Sequence, residues 1–392
     1  MDANQTTRRF FDFFCDRGHE LLEGTSLIPP ADSPGSPVLF TTSGMHPLTP
    51  YLEGRPHPLG RRLAGLQRCL RTTDLDDVGD DYHVTVFQML GSWSLGDYAG
   101  PQSLRWGYEL LTGGFGISAG RLHATVFGGD GQVGPDTESQ RTWAALGVPV
   151  ELTTDDNWWS NGPSGPCGPD SEIFAWTGNG PPEGSPATDE RWMELWNHVT
   201  MRYRQHDDGS LEPLPQRSVD TGMGLERLLM AVQGKPSVFG TDVFQPWMAA
   251  LPGLWQPDRR SLHLLADHLR ASVVIIGDGV WPSNTGRGYV LRRLIRRALT
   301  TLWREDRSRS LHDMPGALIE HTAARFGQSA DSEAVSGVLR DEERRFGGLL
   351  DRGHKVLARF GPDRPPTAED LVYLHETHGL PPDLVTELLA GP

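Results

Sequence analysis

Apolar residues near the start of the chain fall at helical spacing, with Phe10, Phe11 and Phe14 followed by Leu21 and Leu22. This predicts a first helix. Pro29, Pro30, Pro34 and Pro37 then break the chain ahead of VLFTT (38–42), a short strand-like run. From there to about residue 235, short apolar runs alternate with Gly, Pro and Asp turns, as in HVTVFQML, HATVF and WMELWNHVTMRY. That texture predicts a largely antiparallel sheet with peripheral helices. From about residue 258 the period changes to helical in SLHLLADHLRASVVIIGDGV and RGYVLRRLIRRALTTLWRE. Residues 308–360 continue as charge-rich helical segments, GPDRPP (361–366) reads as a linker, and a short helical segment follows. The expected class is α+β, with a sheet domain over 1–240 and a mostly helical domain over 241–392.

The 392 residues leave room for two or three domains with a sizeable core. Hydrophobic residues at 37% and charged residues at 22% are ordinary for a globular protein. No apolar run approaches the ~18 residues of a membrane span, so no membrane partner is expected. MDANQTTRRFFDFF lacks the layout of a signal peptide. Cys15, Cys69 and Cys167 are far apart and form no CxxC pair, which points to a reducing cytoplasm and away from a disulfide framework or four-cysteine zinc site. The net charge of −15 argues against general affinity for nucleic acid but leaves room for a local basic face.

Two stretches carry candidate chemistry. In VDTGMGLERLLM (219–230), Gly222 and Gly224 let backbone approach a ligand, and Arg227 follows at the start of a helix. A guanidinium there has the fixed charge and fork geometry that a triphosphate needs. The same residues would equally make a turn into a helix with a solvated arginine. QRCLRTTDLDDVGDDYHVTVFQMLGSWSLGDY (67–98) reads as strand, acidic loop, strand, with Arg71 before the loop and His83 and Phe87 after it. In isolation it is an ordinary exposed hairpin. GDGQVG (129–134) fits a dinucleotide fingerprint after the strand-like HATVF, but Pro135 sits at the turn and no regular βαβ series follows, so no nucleotide role is expected. The two histidines of HETH (375–378) lack an evident third ligand, and no metal site is expected.

Together with these, FTTSGM (40–45), GPCGPDSEI (165–173), WNHVTMRY (196–203) and ADHLRASVVIIGDGVWPSNTGRGYVLRRLIRRA (266–298) occur in the order found in alanyl-tRNA synthetases. From roughly residue 7 to residue 388 the chain resembles the catalytic and tRNA-recognition region of that class II family. The resemblance implies a class II antiparallel sheet flanked by helices. It also implies an ATP- and Mg²⁺-dependent ligase that forms alanyl-adenylate and passes alanine to the 3′ end of tRNA(Ala). Arg71 and Arg227 would hold ATP phosphates and act catalytically, with His83, Phe87, Met89 and Gly224 completing the ATP site. Asp220 would bind the substrate ammonium, with Asn197, Val199 and Gly222 lining the amino-acid pocket and Trp159 capping it. Without the family, Trp159 is a core aromatic and Asp220 a turn or helix cap. Such a pocket separates alanine from glycine or serine weakly, by roughly 1–3 kcal/mol per methylene. Arg292, Arg293, Arg296 and Arg297, at i,i+4 spacing, would face tRNA; an arginine-rich solvated helix face is the plainer reading.

The chain departs from the family in the hairpin. Arg71 runs directly into TTDLDD, without the family's Gly-Gly-Lys-His, and Val84 and Gln88 replace the usual His and Glu. Asp74, Asp76, Asp77, Asp80 and Asp81 would repel an incoming phosphate backbone. The sequence ends where the family's editing domain begins. These departures carry an alternative, transfer of alanine to a carrier protein, peptide or small molecule, and a third reading, a non-catalytic RNA-binding paralogue.

Overall fold

The computed structural model describes residues 1–29, 38–73, 75–154, 156–358, 360, 364–378, 380, 385–386 and 389. Its contacts divide the chain into two compact units, Met1–Pro246 and Trp247–Pro392.

The first unit is built on nine strands: β1 (Glu20–Leu22), β2 (Arg62–Leu70), β3 (Val86–Ser94), β4 (Leu122–Phe127), β5 (Val150–Thr153), β6 (Trp158–Ser160), β7 (Gly165–Trp176), β8 (Trp192–Gln205) and β9 (Leu211–Gly224). They form one sheet in the order β1-β2-β3-β9-β8-β7-β4-β5, with β6 paired to β7. The centre is antiparallel; β1–β2 and β4–β5 are parallel pairs at the edges. Helices α1 (Ala3–Cys15), α2 (Thr49–Leu52), α3 (Gly100–Glu109), α4 (Thr137–Leu146) and α5 (Leu225–Gln233) flank it. The expected α+β class, a mainly antiparallel sheet with helices beside it, is what the chain adopts.

Two local expectations are corrected. The first helix stops at Cys15, and Gly18 at φ +77° turns the chain, so Leu21 and Leu22 lie in strand β1. A left-handed glycine ends a helix at little steric cost, and the apolar period alone did not register it. VLFTT forms no strand: Thr41 is tied by single backbone bonds to Leu27 and Leu70 instead of joining the sheet.

The GDGQVG segment does sit in one βαβ crossover, β4–α4–β5. However, the Asp130 carboxylate accepts from the amides of Gln132 and Val133, and Asp136 caps α4 through the Ser139 amide while pairing with Arg202. Acidic side chains therefore occupy positions that a phosphate would need. Of GPDRPP, residues 361–363 lie outside the described residues, as do the side chains of His375 and His378 in HETH.

The second unit is helical, with α6 (Gln245–Trp255) running across the unit boundary, then α7 (Arg259–Gly277), α8 (Gly286–Trp303), α9 (Gly316–Arg325), α10 (Ser332–Leu357) and α11 (Ala368–His378). Asp258 caps α7 by accepting from the Ser261 amide. Leu265, Leu269, Leu291, Leu294, Ile295, Leu339 and Phe346 are among its buried residues. Among the described residues no helix is long and apolar enough to cross a membrane.

Candidate active site

The floor of the site follows from strand register. Residues opposite one another on paired strands share a face, as do residues two apart on one strand. Across β3, β9, β8 and β7 one row runs Trp93, Asp220, Val199, Asp170. The adjacent row, two residues along, runs Gly91, Gly222, Asn197, Glu172, and β2 extends it with Gly65. Three consecutive glycines thus leave the sheet without side chains at the point where polar groups converge. A Cβ on Gly222 would meet the Met89 sulfur at 2.8 Å, so glycine here gives space, not an unusual dihedral.

Over this floor opens a cavity of about 630 Å³. Arg71, His83, Phe87, Met89, Trp159, Asn197, Val199, Asp220, Gly222, Gly224 and Arg227 all line it. Every residue assigned from sequence to ATP or amino-acid binding is therefore at one site, although 156 positions separate the first of these from the last (227 − 71).

The two arginines are held differently. Arg71 follows β2 directly, its amide donating to the Thr85 carbonyl at 3.0 Å. Its exposed guanidinium lies 5.3 Å from the Phe87 ring centroid, with one long bond to the Thr42 carbonyl at 3.4 Å. Arg227, in the first turn of α5, donates to Glu194 at 3.1 Å and has its guanidinium 5.9 Å from the Tyr82 ring centroid. His83 is not on a strand. Asp80 holds it, accepting from the His83 and Tyr82 amides at 2.8 and 3.0 Å and from the imidazole at 2.5 Å. One of the acidic loop residues is thus a local cap. Asp74 lies outside the described residues.

Asp220 is buried and accepts from the Trp93 indole N–H at 2.6 Å. Burial raises its carboxyl to about 7, against the opposing pull of that hydrogen bond. Asn157 donates to Asp170 at 2.8 Å, and Asn197 also bonds that carboxyl, which burial raises to about 7. The Asn197 side-chain oxygen is buried without a partner, an acceptor left over at the cavity wall. Val199 and Trp159 pack with Met45, Leu48 and Trp93 in one apolar cluster. The site therefore pairs a small apolar wall with a buried acid and an unpaired carbonyl-type oxygen, the complement of a compact ammonium-bearing ligand.

The sequence reading did not assign Asp170, Glu172, Glu194, Asp156 or Tyr82, which line the same cavity. The first two lie in a motif already singled out, but only the sheet brings them beside Glu194 and Arg227. Glu172 is pushed far above the usual carboxylate range by burial and by Glu194, Asp170 and Asp156. Among the described residues no group of three or more His, Cys, Asp or Glu side chains is arranged to hold a metal ion. Mg²⁺ ordinarily needs only one or two carboxylates beside substrate phosphates, and this crowded acidic wall has the donor chemistry to supply them.

Asp170, Glu172 and Asp220 all carry folded-state values above their unfolded ones. The folded protein then holds more protons than the unfolded chain between the two values. Stability is full below about pH 4 for these groups and is lost as pH rises through their folded values. Thermal melts from about pH 5.5 to about pH 9 should show a falling Tm, and Glu172→Gln should flatten the fall, because an amide mimics the protonated acid and cannot ionise. An unchanged slope in the variant would remove Glu172 from this account.

In the helical unit, Arg292 and Arg296 both reach Glu342 of α10, with Nε–oxygen distances of 3.2 and 2.8 Å, and Arg296 lies 5.2 Å from the Phe346 ring centroid. Glu342 is 1% exposed, so these two arginines serve a buried ion pair. Arg293 and Arg297 are half-buried on the adjoining stripe.

The family model for class II (A) tRNA synthetases matches residues 5–391. The chain is 40% identical to the alanine–tRNA ligase of Treponema pallidum, over 98% of this chain and 68% of the relative. It is 45% identical to that of Treponema denticola over 76% of this chain and 52% of the relative. With the alanine–tRNA ligase of Borrelia hermsii it shares 38% identity over 99% of this chain and 69% of the relative. The chain spans from about half to about two thirds of the length of these relatives. The apo histidyl-tRNA synthetase of S. aureus aligns with 64% of this chain at a TM-score of 0.39 and 10% identity, a likeness too slight to build on.

Proposed function

Since the chain belongs to the class II (A) tRNA synthetases, a family of ligases, we propose that its cavity activates alanine with ATP and that the enzyme passes the alanyl group to tRNA(Ala). One observation carries the reading: the residues suited to an ammonium, a methyl and a triphosphate line a single cavity.

Activation follows from the groups present. The ammonium of alanine pairs with Asp220, and the unpaired Asn197 oxygen accepts a second ammonium proton. Val199 and Trp159 enclose the methyl, with Gly222 leaving room for the substrate backbone. This fixes the substrate carboxylate toward the arginines. A carboxylate oxygen attacks the α-phosphorus, the α–β bridging bond breaks, and pyrophosphate leaves with the bond's electron pair. Arg71 stabilises the negative charge gathering on the α-phosphate, and Arg227, braced by Glu194, holds the departing phosphates. Phe87 gives the adenine a flat apolar surface. Glu194 and Glu172 would hold Mg²⁺, whose charge would offset that of the triphosphate. A terminal ribose hydroxyl of tRNA then attacks the alanyl carbonyl, and AMP leaves.

The relatives are alanine–tRNA ligases, which favours tRNA as the acceptor, and no structural observation favours a carrier protein or small molecule. Labelled alanine offered with ATP, with and without tRNA(Ala), tests this at two salt concentrations. We expect tRNA-dependent label in acid-precipitable material, weakened by salt. Adenylate formation with no tRNA-bound label would overturn the acceptor assignment.

A further inference from the structure

Trp93 does not line the cavity, and the chemistry above does not use it. Its indole N–H nevertheless donates to an Asp220 oxygen at 2.6 Å, with both residues buried. The two are direct cross-strand partners on β3 and β9. The ring is locked by what surrounds it. A Cβ on Gly91 would meet the indole at 2.4 Å, one on Gly44 at 3.0 Å and one on Gly65 at 3.5 Å. Three glycines from different segments therefore form a slot for one indole.

A buried indole N–H seeks an acceptor, so the bond could exist only for the sake of Trp93. Other indoles argue against that: those of Trp176, Trp196 and Trp255 are buried with no acceptor among the described residues, so the fold does not supply one to every indole. Trp143 donates to the Ser171 hydroxyl, Trp247 to the Thr322 hydroxyl, and Trp192 and Trp303 to backbone carbonyls. A neutral oxygen satisfies each of them. A buried carboxylate is a far costlier acceptor to install, and it is the group at the cavity that gains from a fixed donor.

We propose that Trp93 is a positioning residue for amino-acid recognition: its indole N–H fixes one Asp220 oxygen so that the carboxylate meets the substrate ammonium in a single orientation. This rests on the reading of Asp220 as the ammonium partner. The donor also favours the ionised carboxylate that the ammonium requires.

The test is alanine-dependent ATP–pyrophosphate exchange for the wild type, Trp93→Phe, Asp220→Asn and the double variant. Trp93→Phe should raise the KM for alanine roughly tenfold or more and leave that for ATP unchanged. In the Asp220→Asn background the Trp93→Phe substitution should add nothing, because the donor has lost its charged partner. Additive effects, or an equal rise in both KM values, would overturn the proposal. If Asp220→Asn raises the alanine KM but Trp93→Phe does not, the positioning role fails and the functional reading stands. If Asp220→Asn has no effect on alanine, that reading fails and takes this one with it. Should Trp93→Phe not fold, 3-benzothienylalanine at position 93 fills the slot without an N–H. A normal alanine KM in that protein would be decisive against the role.

Discussion

Asp220→Asn should raise the KM for alanine by roughly a hundredfold or more while leaving that for ATP within about twofold. The size comes from removing one partner of a buried, hydrogen-bonded charge pair. The selectivity comes from geometry, since Asp220 sits in the Trp93–Val199–Asp170 row and the arginines lie elsewhere on the cavity wall. The variant should also lose a pH dependence. In the wild type, burial holds the Asp220 carboxyl up to about 7, so at lower pH it is protonated and cannot pair with an ammonium. The wild-type alanine KM should therefore fall as pH rises from about 6 to about 8 and then level off, whereas the Asn variant should show a flat profile. Initial rates of alanine-dependent exchange at varied pH check both points. A matched rise in the ATP KM would show that Asp220 maintains the whole cavity and not the ammonium site.

Arg71→Ala should lower kcat by roughly a hundred- to a thousandfold, the range found when one preorganised donor to a developing charge is lost. Fold stability should barely change. The Arg71 side chain is exposed, and its contacts are one long bond to the Thr42 carbonyl and the neighbouring Phe87 ring. Arg227 is a less clean target, because its removal strands Glu194 beside Asp170 and Glu172. Arg71→Lys should restore only part of the loss: an ammonium keeps the charge but not the two-pronged geometry. Single-turnover adenylate formation, measured beside thermal melts, separates the cases. A variant with normal adenylate formation would show that Arg71 is not the α-phosphate clamp.

Much of this site was legible because its chemistry is carried by short motifs. VDTGMGLERLLM placed Asp220, Gly222, Gly224 and Arg227 within eight positions, and strand β9 runs straight into α5 there. The apolar run WMELWNHVTMRY marked β8, which carries Asn197 and Val199. The unread parts depend on long-range register. Nothing local says that Asp170 and Glu172 will face Glu194, or that Trp93 will oppose Asp220. The basic helix shows the same limit. Its i,i+4 spacing correctly puts Arg292 and Arg296 on one stripe, but Glu342, forty-six residues beyond Arg296, decides what that stripe touches. At the N-terminus the continuing apolar period obscured the turn at Gly18 that sends Leu21 and Leu22 into β1.

The most direct test of the central claim is ATP–pyrophosphate exchange measured with each of the twenty amino acids in the presence of Mg²⁺. The pocket of Val199, Trp159 and Asp220 should give the strongest exchange with alanine and weaker signals with glycine and serine, because one methylene or hydroxyl changes binding by only roughly 1–3 kcal/mol. No exchange with alanine, or a stronger signal with a bulky amino acid, would contradict the account.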